Sequence, residues 1–339
     1  MPPMNPSGTT DVVSKTGNGK FGIDYATNII PLNNGWILYG DFTNNKIQSV
    51  NIFYGILGSS YQLSATPGDL AYDATNGFLY AALSGATSLA KVNLNTGVVT
   101  TISLPSQAVH LAATNTGYVF ASLSNNSPQT ICYINGSTGT IVASPTITDF
   151  GLNVYLACNS AGTTVFFGCD GGSGCSTYQY LFNTSTYALT QQYSVFGYAE
   201  NGEEMDISPD NNHLAFVNGG GNGGTGTNTY SIFDLSTSNI NSSNGSWLTG
   251  AYPTSAGFSP DSANVATTND SALQVFSVGT HSSSKTTWTG ASAGSVSNPT
   301  NIYELKRVCF SRGGAYVFGL DVPTYTMPAP STIVWETFP

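Results

Sequence analysis

Short apolar runs alternate with turn residues along the whole chain, and one arrangement of them recurs. Its plainest copy is Asp69-Leu-Ala-Tyr-Asp-Ala-Thr-Asn-Gly-Phe-Leu-Tyr80: an alternating run, a turn at Asn76-Gly77 and a second apolar run. Other copies are Met205-Asp-Ile-Ser-Pro-Asp-Asn-Asn-His-Leu-Ala-Phe216 and Val308-Cys-Phe-Ser-Arg-Gly-Gly-Ala-Tyr-Val-Phe318. Two apolar runs around such a turn predict a β-hairpin, since Gly, Asn and Asp tolerate the backbone angles of a tight reversal. The second run begins near Trp36, Phe78, Tyr118, Val165, Leu214, Val265 and Tyr316. No stretch sustains a 3.6-residue apolar period, so almost no helix is expected.

The spacing of these runs, roughly 40–50 residues, is that of propeller blades. The second unit divides into four strands, Asp69–Asp73, Phe78–Leu83, Ser88–Asn93 and Val98–Leu104, with Asn95-Thr-Gly97 turning the last pair. Asn135-Gly-Ser-Thr-Gly139 and Asn183-Thr-Ser-Thr186 hold the same place later. The pattern predicts an all-β chain: one seven-bladed β-propeller of four-stranded antiparallel blades over residues 1–339. Residues 1–20 form an N-terminal segment, with blades near 21–64, 65–106, 107–149, 150–199, 200–251, 252–298 and 299–339. The last unit is one strand short, and the lone β-prone run Thr10–Thr16 is the spare. Paired outside Ser331–Phe338, it closes its own ring and covers an edge, or else closes the ring of a neighbouring molecule.

Ile207-Ser-Pro-Asp210 and Phe258-Ser-Pro-Asp261, each leading into an apolar run, and the later turns Asp234-Leu-Ser-Thr237 and Asn93-Leu-Asn-Thr-Gly97 resemble the YVTN-type and lactonase-like propeller repeats. The resemblance covers about residues 20–338 and departs from the pattern at Pro31-Leu-Asn-Asn-Gly35. It implies the propeller fold. It also admits a lactonase- or lyase-like activity, for which that family uses a His/Glu/Arg set.

Composition narrows the partners. Charged residues are 8% of the chain, against about 25% in an ordinary domain, and Ser, Thr, Asn and Gly take their place. The net charge is −10, with eight Lys plus Arg. Nucleic acid and anionic membranes both need clustered cations, so neither is an expected partner. No 18-residue apolar stretch is present, so no membrane insertion is expected. The first residues, Met1-Pro-Pro-Met-Asn-Pro-Ser, have neither the basic region nor the apolar core of a signal peptide. The low-charge surface points to an extracellular or surface location: secreted, cell surface or virion. Cys169-Asp-Gly-Gly-Ser-Gly-Cys175 has the spacing of a hairpin-tip disulfide, whereas Cys132, Cys158 and Cys309 lie in apolar runs as buried thiols.

Aligning the repeats places Thr27, Asp69, His110, Tyr155, Glu204, Ser255 and Arg307 at one position, within about a residue, at the start of each innermost strand. In a propeller this position rings the channel mouth. Asp69, His110, Tyr155, Glu204 and Arg307 are therefore the candidates for acid/base chemistry, with Arg307 holding a carboxylate or oxyanion. The bland alternative is a wet channel mouth whose charges simply pair. The one acidic cluster, Glu200-Asn-Gly-Glu203-Glu204-Met-Asp206, is a calcium candidate through Glu203, Glu204 and Asp206, or else a solvated loop. Loops around Asp170, Asn222 and Tyr325 are expected on the same face as the ring and are candidates for binding. The Gly-rich one has no Lys and no following helix, so it is no phosphate loop. Two functions follow. The favoured one is a non-catalytic module that binds a protein, a glycan or copies of itself. The other is a lactonase- or lyase-like enzyme at the channel mouth.

Overall fold

A computed structural model describes residues 11, 17–124, 129–147, 154–169, 176–196, 204–218, 229–235, 243–248, 254–268, 272–279, 283–289, 303–323 and 330–338. Among them every regular element is a strand. After β1 (Asn18–Ile23), the strands fall into antiparallel sheets in chain order. The first holds β2 (Ala26–Pro31), β3 (Trp36–Asp41), β4 (Lys46–Asn51) and β5 (Ile56–Gln62); the second β6 (Pro67–Asp73), β7 (Phe78–Leu83), β8 (Ser88–Asn93) and β9 (Val99–Ser103). The third holds β10 (Ala108–Ala113), β11 (Tyr118–Leu123), β12 (Gln129–Asn135), β13 (Thr140–Ala143) and β14 (Thr146–Ile147). Next come β15 (Val154–Cys158), β16 (Thr164–Cys169), β17 (Ser176–Phe182) and β18 (Leu189–Phe196), then β19 (Met205–Ile207), β20 (His213–Asn218), β21 (Thr229–Asp234) and β22 (Ser243–Leu248). The last two are β23 (Ala256–Phe258), β24 (Asn264–Thr268), β25 (Ala272–Ser277) and β26 (Ser283–Thr289), then β27 (Tyr303–Phe310), β28 (Tyr316–Pro323) and β29 (Ser331–Thr337) with β1.

The expected count of seven four-stranded blades is corrected. Six blades have four strands, not seven, and the remaining sheet has five. Its outer strand is broken in two: β13 pairs with Tyr133–Asn135 of β12, and β14 pairs with Gln129 and Thr130. Pro145 lies at the break. A proline has no N–H for the ladder, although its carbonyl still accepts from Ile131 N at 3.0 Å.

The sheets stand around an axis with β2, β6, β10, β15, β19, β23 and β27 innermost, each beside the next and β27 beside β2. Faces of neighbouring sheets pack on each other, so a strand in mid-sheet is covered on both sides. That is why second strands read as unbroken apolar runs: Leu79, Tyr80, Ala81, Ala82 and Leu83 of β7 are all buried. A separate apolar core fills each gap. Between the first and last sheets it joins Ile29, Ile37 and Tyr39 to Tyr316, Phe318 and Trp335.

The clasp is also corrected. The strand that completes the last sheet is β1, residues 18–23, not Thr10–Thr16. It runs antiparallel to β29 from Asn18 opposite Glu336 to Ile23 opposite Ser331. β1 has the alternation of a half-covered strand: Asn18, Lys20 and Gly22 are exposed, while Gly19, Phe21 and Ile23 are covered. A Cβ on Gly19 would stand 2.7 Å from the Trp335 ring, so a glycine lets that indole lie under the strand. Residues 12–16 lie outside the described residues.

Asp11 has a different task. In two later hairpins a Ser-Pro-Asp turn binds itself: Ser208 Oγ donates to Asp210 at 2.5 Å and Ser259 Oγ to Asp261 at 2.5 Å. The same carboxylates accept Asn212 N and Ala263 N at 3.0 Å. The last copy reads Ser311-Arg-Gly-Gly and has glycine where the acid belongs. Asp11 supplies it from 300 residues away: Ser311 Oγ donates to Asp11 Oδ2 at 2.5 Å and Ala315 N at 3.3 Å. A Cβ on Gly313 would lie 2.7 Å from that oxygen, so the missing side chain makes the room. Asp11 Oδ1 accepts Asn34 N at 2.8 Å, which ties the first sheet to the last. Asp11→Ala leaves these donors without their acceptor, and a loss of about 1–3 kcal/mol is expected in urea denaturation. Equal midpoints for wild type and Asp11→Ala would refute the latch.

Among the described residues no helix is long and apolar enough to cross a membrane. They also form no disulfide. Cys132 and Cys158 are buried free thiols, and Cys309 is a half-buried one. Cys175 and the side chain of Cys169 lie outside the described residues, so the 169–175 disulfide has no support here.

Candidate binding site in the central channel

The innermost strands bring the predicted ring together. Asp69, His110, Tyr155, Glu204 and Arg307 all line one cavity of about 390 Å³ in the channel. The first member is corrected by one residue. Register shifts between Ala26 and Ile29, Pro67 and Leu70, and Ala108 and Leu111 show a bulge in each strand. Counting from the residue that follows the bulge, Asn28 stands where Asp69 and His110 stand, and Thr27 belongs to the bulge. The bulge is common to all three strands, so the slip comes from the hairpin length: Ile29 pairs with Tyr39, ten positions on, and Leu70 with Ala81, eleven positions on, which an alignment without gaps does not register.

Arg307 is the hub. Its Nη1 lies 2.6 Å from Glu204 Oε1, and its Nη2 lies 3.6 Å from Asp69 Oδ1. Glu204 Oε2 accepts Ser255 Oγ, which itself accepts Val308 N at 2.9 Å. Asp69 Oδ1 accepts Asn28 Nδ2 at 2.6 Å, and Oδ2 accepts Leu111 N at 2.8 Å with His110 Nδ1 at 3.7 Å. The His110 and Tyr155 rings meet with centroids 4.4 Å apart.

Burial and neighbours set the protonation states. Burial raises the Asp69 carboxyl, but His110, then Arg307 and the Leu111 N–H, outweigh it and hold the group below the usual carboxylate range. Burial likewise raises Glu204, and here Arg307 and Ser255 offset it only in part. Burial opposes the Arg307 charge, yet Glu204 and Asp69 raise it further, so the guanidinium is permanently charged. Asp206 also lines the cavity. Its Oδ2 accepts Phe258 N at 2.9 Å, but burial, with the Glu204 charge adding to it, pushes its carboxyl up to about 7.

A second cavity of about 200 Å³ lies against the same hub. His110, Tyr155 and Arg307 line both; Tyr25, Thr27, Lys306 and Val322 complete the second. The acids Asp69, Glu204 and Asp206 line the first cavity alone. Sequence reasoning missed Lys306, because it sits at a bulge: the shift between Leu305 and Arg307 leaves it as the extra residue.

The calcium candidate fits poorly. Both Glu204 oxygens already face donors, Arg307 among them, and Glu203 lies outside the described residues. Among the described residues no group of three or more His, Cys, Asp or Glu could hold a metal. Asp170, Asn222 and Tyr325, the loop candidates for binding, also lie outside them.

No family model matches the chain, and no curated protein matches it in sequence. Solved structures do. A chain of Kuenenia stuttgartiensis hydrazine synthase superposes with a TM-score of 0.67 at 12% identity, over 91% of this chain and 97% of that one. The β-propeller domain of Myceliophteria thermophila Cps50 (Swd1) superposes with a TM-score of 0.68 at 10% identity, over 94% of this chain and 98% of that one. At such identities the likeness is one of fold, and the fold it shows is the β-propeller.

Proposed function

We propose that this propeller is a non-catalytic binding module that takes its ligand at the channel mouth. The observation that carries this reading is the saturation of the hub. Arg307 lies between Glu204 and Asp69, and each of those carboxylates is further held by donors. A general base needs an available lone pair, and an oxyanion holder needs an uncommitted charge. These groups have spent both on one another. What they build is a rigid, charged floor beneath a concave mouth, which suits recognition. The low-charge Ser/Thr/Asn/Gly surface supports a place outside the cell or on its surface, where the partner is a protein, a glycan or a smaller molecule carrying their chemistry.

Thermal-shift screening of the whole chain against small acids, neutral sugars and glycans tests this. At least one ligand is expected to raise the melting temperature, and Tyr155→Ala is expected to remove that shift while the fold stays intact. A folded protein that responds to nothing in the panel would overturn the reading.

One observation favours the lactonase- or lyase-like alternative, in keeping with the YVTN-type and lactonase-like resemblance of the repeats. The ring side chains are in contact rather than spread across an open channel, and Asp206, with its carboxyl near 7, faces the same cavity. Hydrolysis of simple lactones decides between the two. No turnover above the buffer rate is expected; turnover that vanishes in Asp206→Asn would establish the enzyme.

A further inference from the structure

We propose that the 390 Å³ cavity in the channel is a site for a small organic cation, a short-chain primary alkylammonium held by Asp206. The inference goes beyond the mouth reading, since it concerns the larger cavity and a different side chain. Three features carry it. The first is charge. Asp69, Glu204 and Asp206 line this cavity, and among the described residues Arg307 is the one Lys or Arg that does. Even with the His110 ring charged, carboxyls outnumber cations. Arg307 is committed to Glu204 and Asp69, so Asp206 has no counter-charge among the described residues. In a chain of net charge −10, a cation is drawn to such a place and an anion is repelled from it.

The second feature is how Asp206 is presented. It follows Glu204 by two residues, so the two side chains share one face of the strand. Backbone N–H groups hold its carboxyl: Phe258 N lies 2.9 Å from Oδ2, and Ile207 N also donates. A carboxylate has about four lone-pair sites, so others remain for a ligand. Burial works against the Asp206 charge, and the Glu204 charge adds to that. A proton relieves the cost, and an ammonium group set against the carboxylate relieves it equally. Also in this cavity stand Tyr155 and Cys158 on β15 and Arg307 and Cys309 on β27, while β20 and β23 bring it no titratable side chain. β6 and β10 add Asp69, Tyr72 and His110.

The third is space. The positions two residues after the ring are small on four of the other strands: Ala71 after Asp69, Ala112 after His110, Ala157 after Tyr155 and Gly257 after Ser255. Their short apolar walls suit methylenes behind a charged end. A Cβ on Gly257 would lie 2.9 Å from the Val308 carbonyl oxygen, so the strand next to Asp206 has no room for a side chain there. The volume falls at the lower end of the ~300–1,000 Å³ of ligand pockets, which suits a short chain. A calcium ion would ask for roughly six to eight oxygens, and among the described residues no group of three or more His, Cys, Asp or Glu could hold a metal.

Isothermal titration calorimetry on the full chain tests the inference with butylammonium chloride against butanol, sodium butyrate and calcium chloride. Butylammonium is expected to bind about tenfold or more tightly than butanol. An alkylammonium titrates near the ~10.4 of lysine and stays charged throughout, so its binding should strengthen from about pH 6 to about pH 8 as Asp206 gives up its proton. The released proton makes the measured heat depend on the ionisation enthalpy of the buffer, a readout in the wild type alone. Asp206→Asn should weaken binding about tenfold and abolish both the pH and the buffer dependence. Asp321→Asn should change neither, because Asp321 is also raised to about 7 but does not line the cavity. Circular dichroism and urea midpoints establish that each variant is folded. Equal affinity for butylammonium and butanol, tighter binding of butyrate or calcium, binding without proton release, or an unaffected Asp206→Asn would overturn the inference. If a sugar or an acid raises the melting temperature through Tyr155 while butylammonium does not bind, the cation assignment fails and the mouth reading stands. If butylammonium binds through Asp206 while that panel stays silent, the cation site stands without the mouth. If the folded protein binds none of these, both fail.

Discussion

Replacing Arg307 with methionine is expected to cost about 3–5 kcal/mol of folding stability, the largest effect of any single substitution in the channel. The side chains are of similar length, so packing changes little. What changes is that Glu204 and Asp69 lose the cation between them and stay enclosed. Glu204 keeps Ser255 Oγ, and Asp69 keeps Asn28, Leu111 N and the neighbouring His110, so neither is left bare. The cost arises because those donors do not cancel a charge. Adding Glu204→Gln to Arg307→Met should therefore return a good part of the loss, since it removes one of the two stranded charges. Equilibrium denaturation of wild type, the two single variants and the double variant measures the coupling. A loss below about 1 kcal/mol for Arg307→Met would mean that water already screens the hub, and the saturation argument for a binding module would fall with it.

A second large effect is expected in the pH dependence of stability. The Asp206 carboxyl is raised to about 7 by burial, while an unfolded aspartate titrates near ~3.9. Between those values the folded chain holds a proton that the unfolded chain has lost. Stability must then fall as pH rises through that window. Asp321 is raised to about 7 by burial as well, with Lys20 offsetting only part, and acts in the same direction. Asp69 acts oppositely: its carboxyl is held low, so its contribution is complete above the unfolded value and is lost as pH falls below it. The protein should be most stable in mild acid, near pH ~4–5, and weaker at pH 8, with Asp206 accounting for roughly 2–4 kcal/mol of the difference. Asp206→Asn keeps an oxygen for Phe258 N and carries no charge. It should flatten the slope between pH 5 and 8 and exceed wild type at pH 8. The same slope in both proteins would show that Asp206 titrates as an ordinary surface acid.

Much of the fold was legible because blades are local. In the second sheet the expected strands and the observed ones agree within two residues at every end. Hairpins join neighbours in sequence, so Asn76-Gly77 and the apolar runs beside it carry the signal within a dozen residues. The seven aligned polar positions were legible for the same reason, and six of them stand where the repeat placed them. The failures share a cause too. Thr27 stood in for Asn28 because the first hairpin is one residue shorter than the second, Ile29 pairing with Tyr39 and Leu70 with Ala81, and turn length is set by which residues pair. Pro145 was visible, but that it splits one outer strand into β13 and β14 depends on which half of β12 each piece meets. Thr10–Thr16 has β propensity, yet the clasp is decided by what fits beneath Trp335, and Gly19 fits.

The sequence by itself determined the all-β hairpin repeat, the polar position at the head of each innermost strand and the shortage of charge that makes Arg307 conspicuous. All of these depend on residues close together in the chain, where period and turn chemistry leave their mark. The tertiary structure decided the rest. It set the number of four-stranded blades, chose the strand that closes the last sheet, brought Asp11 to Gly313, and joined Arg307 to Asp69 and Glu204. Each of these is a meeting of residues tens to hundreds of positions apart, and closure of the ring brings them within a few ångströms.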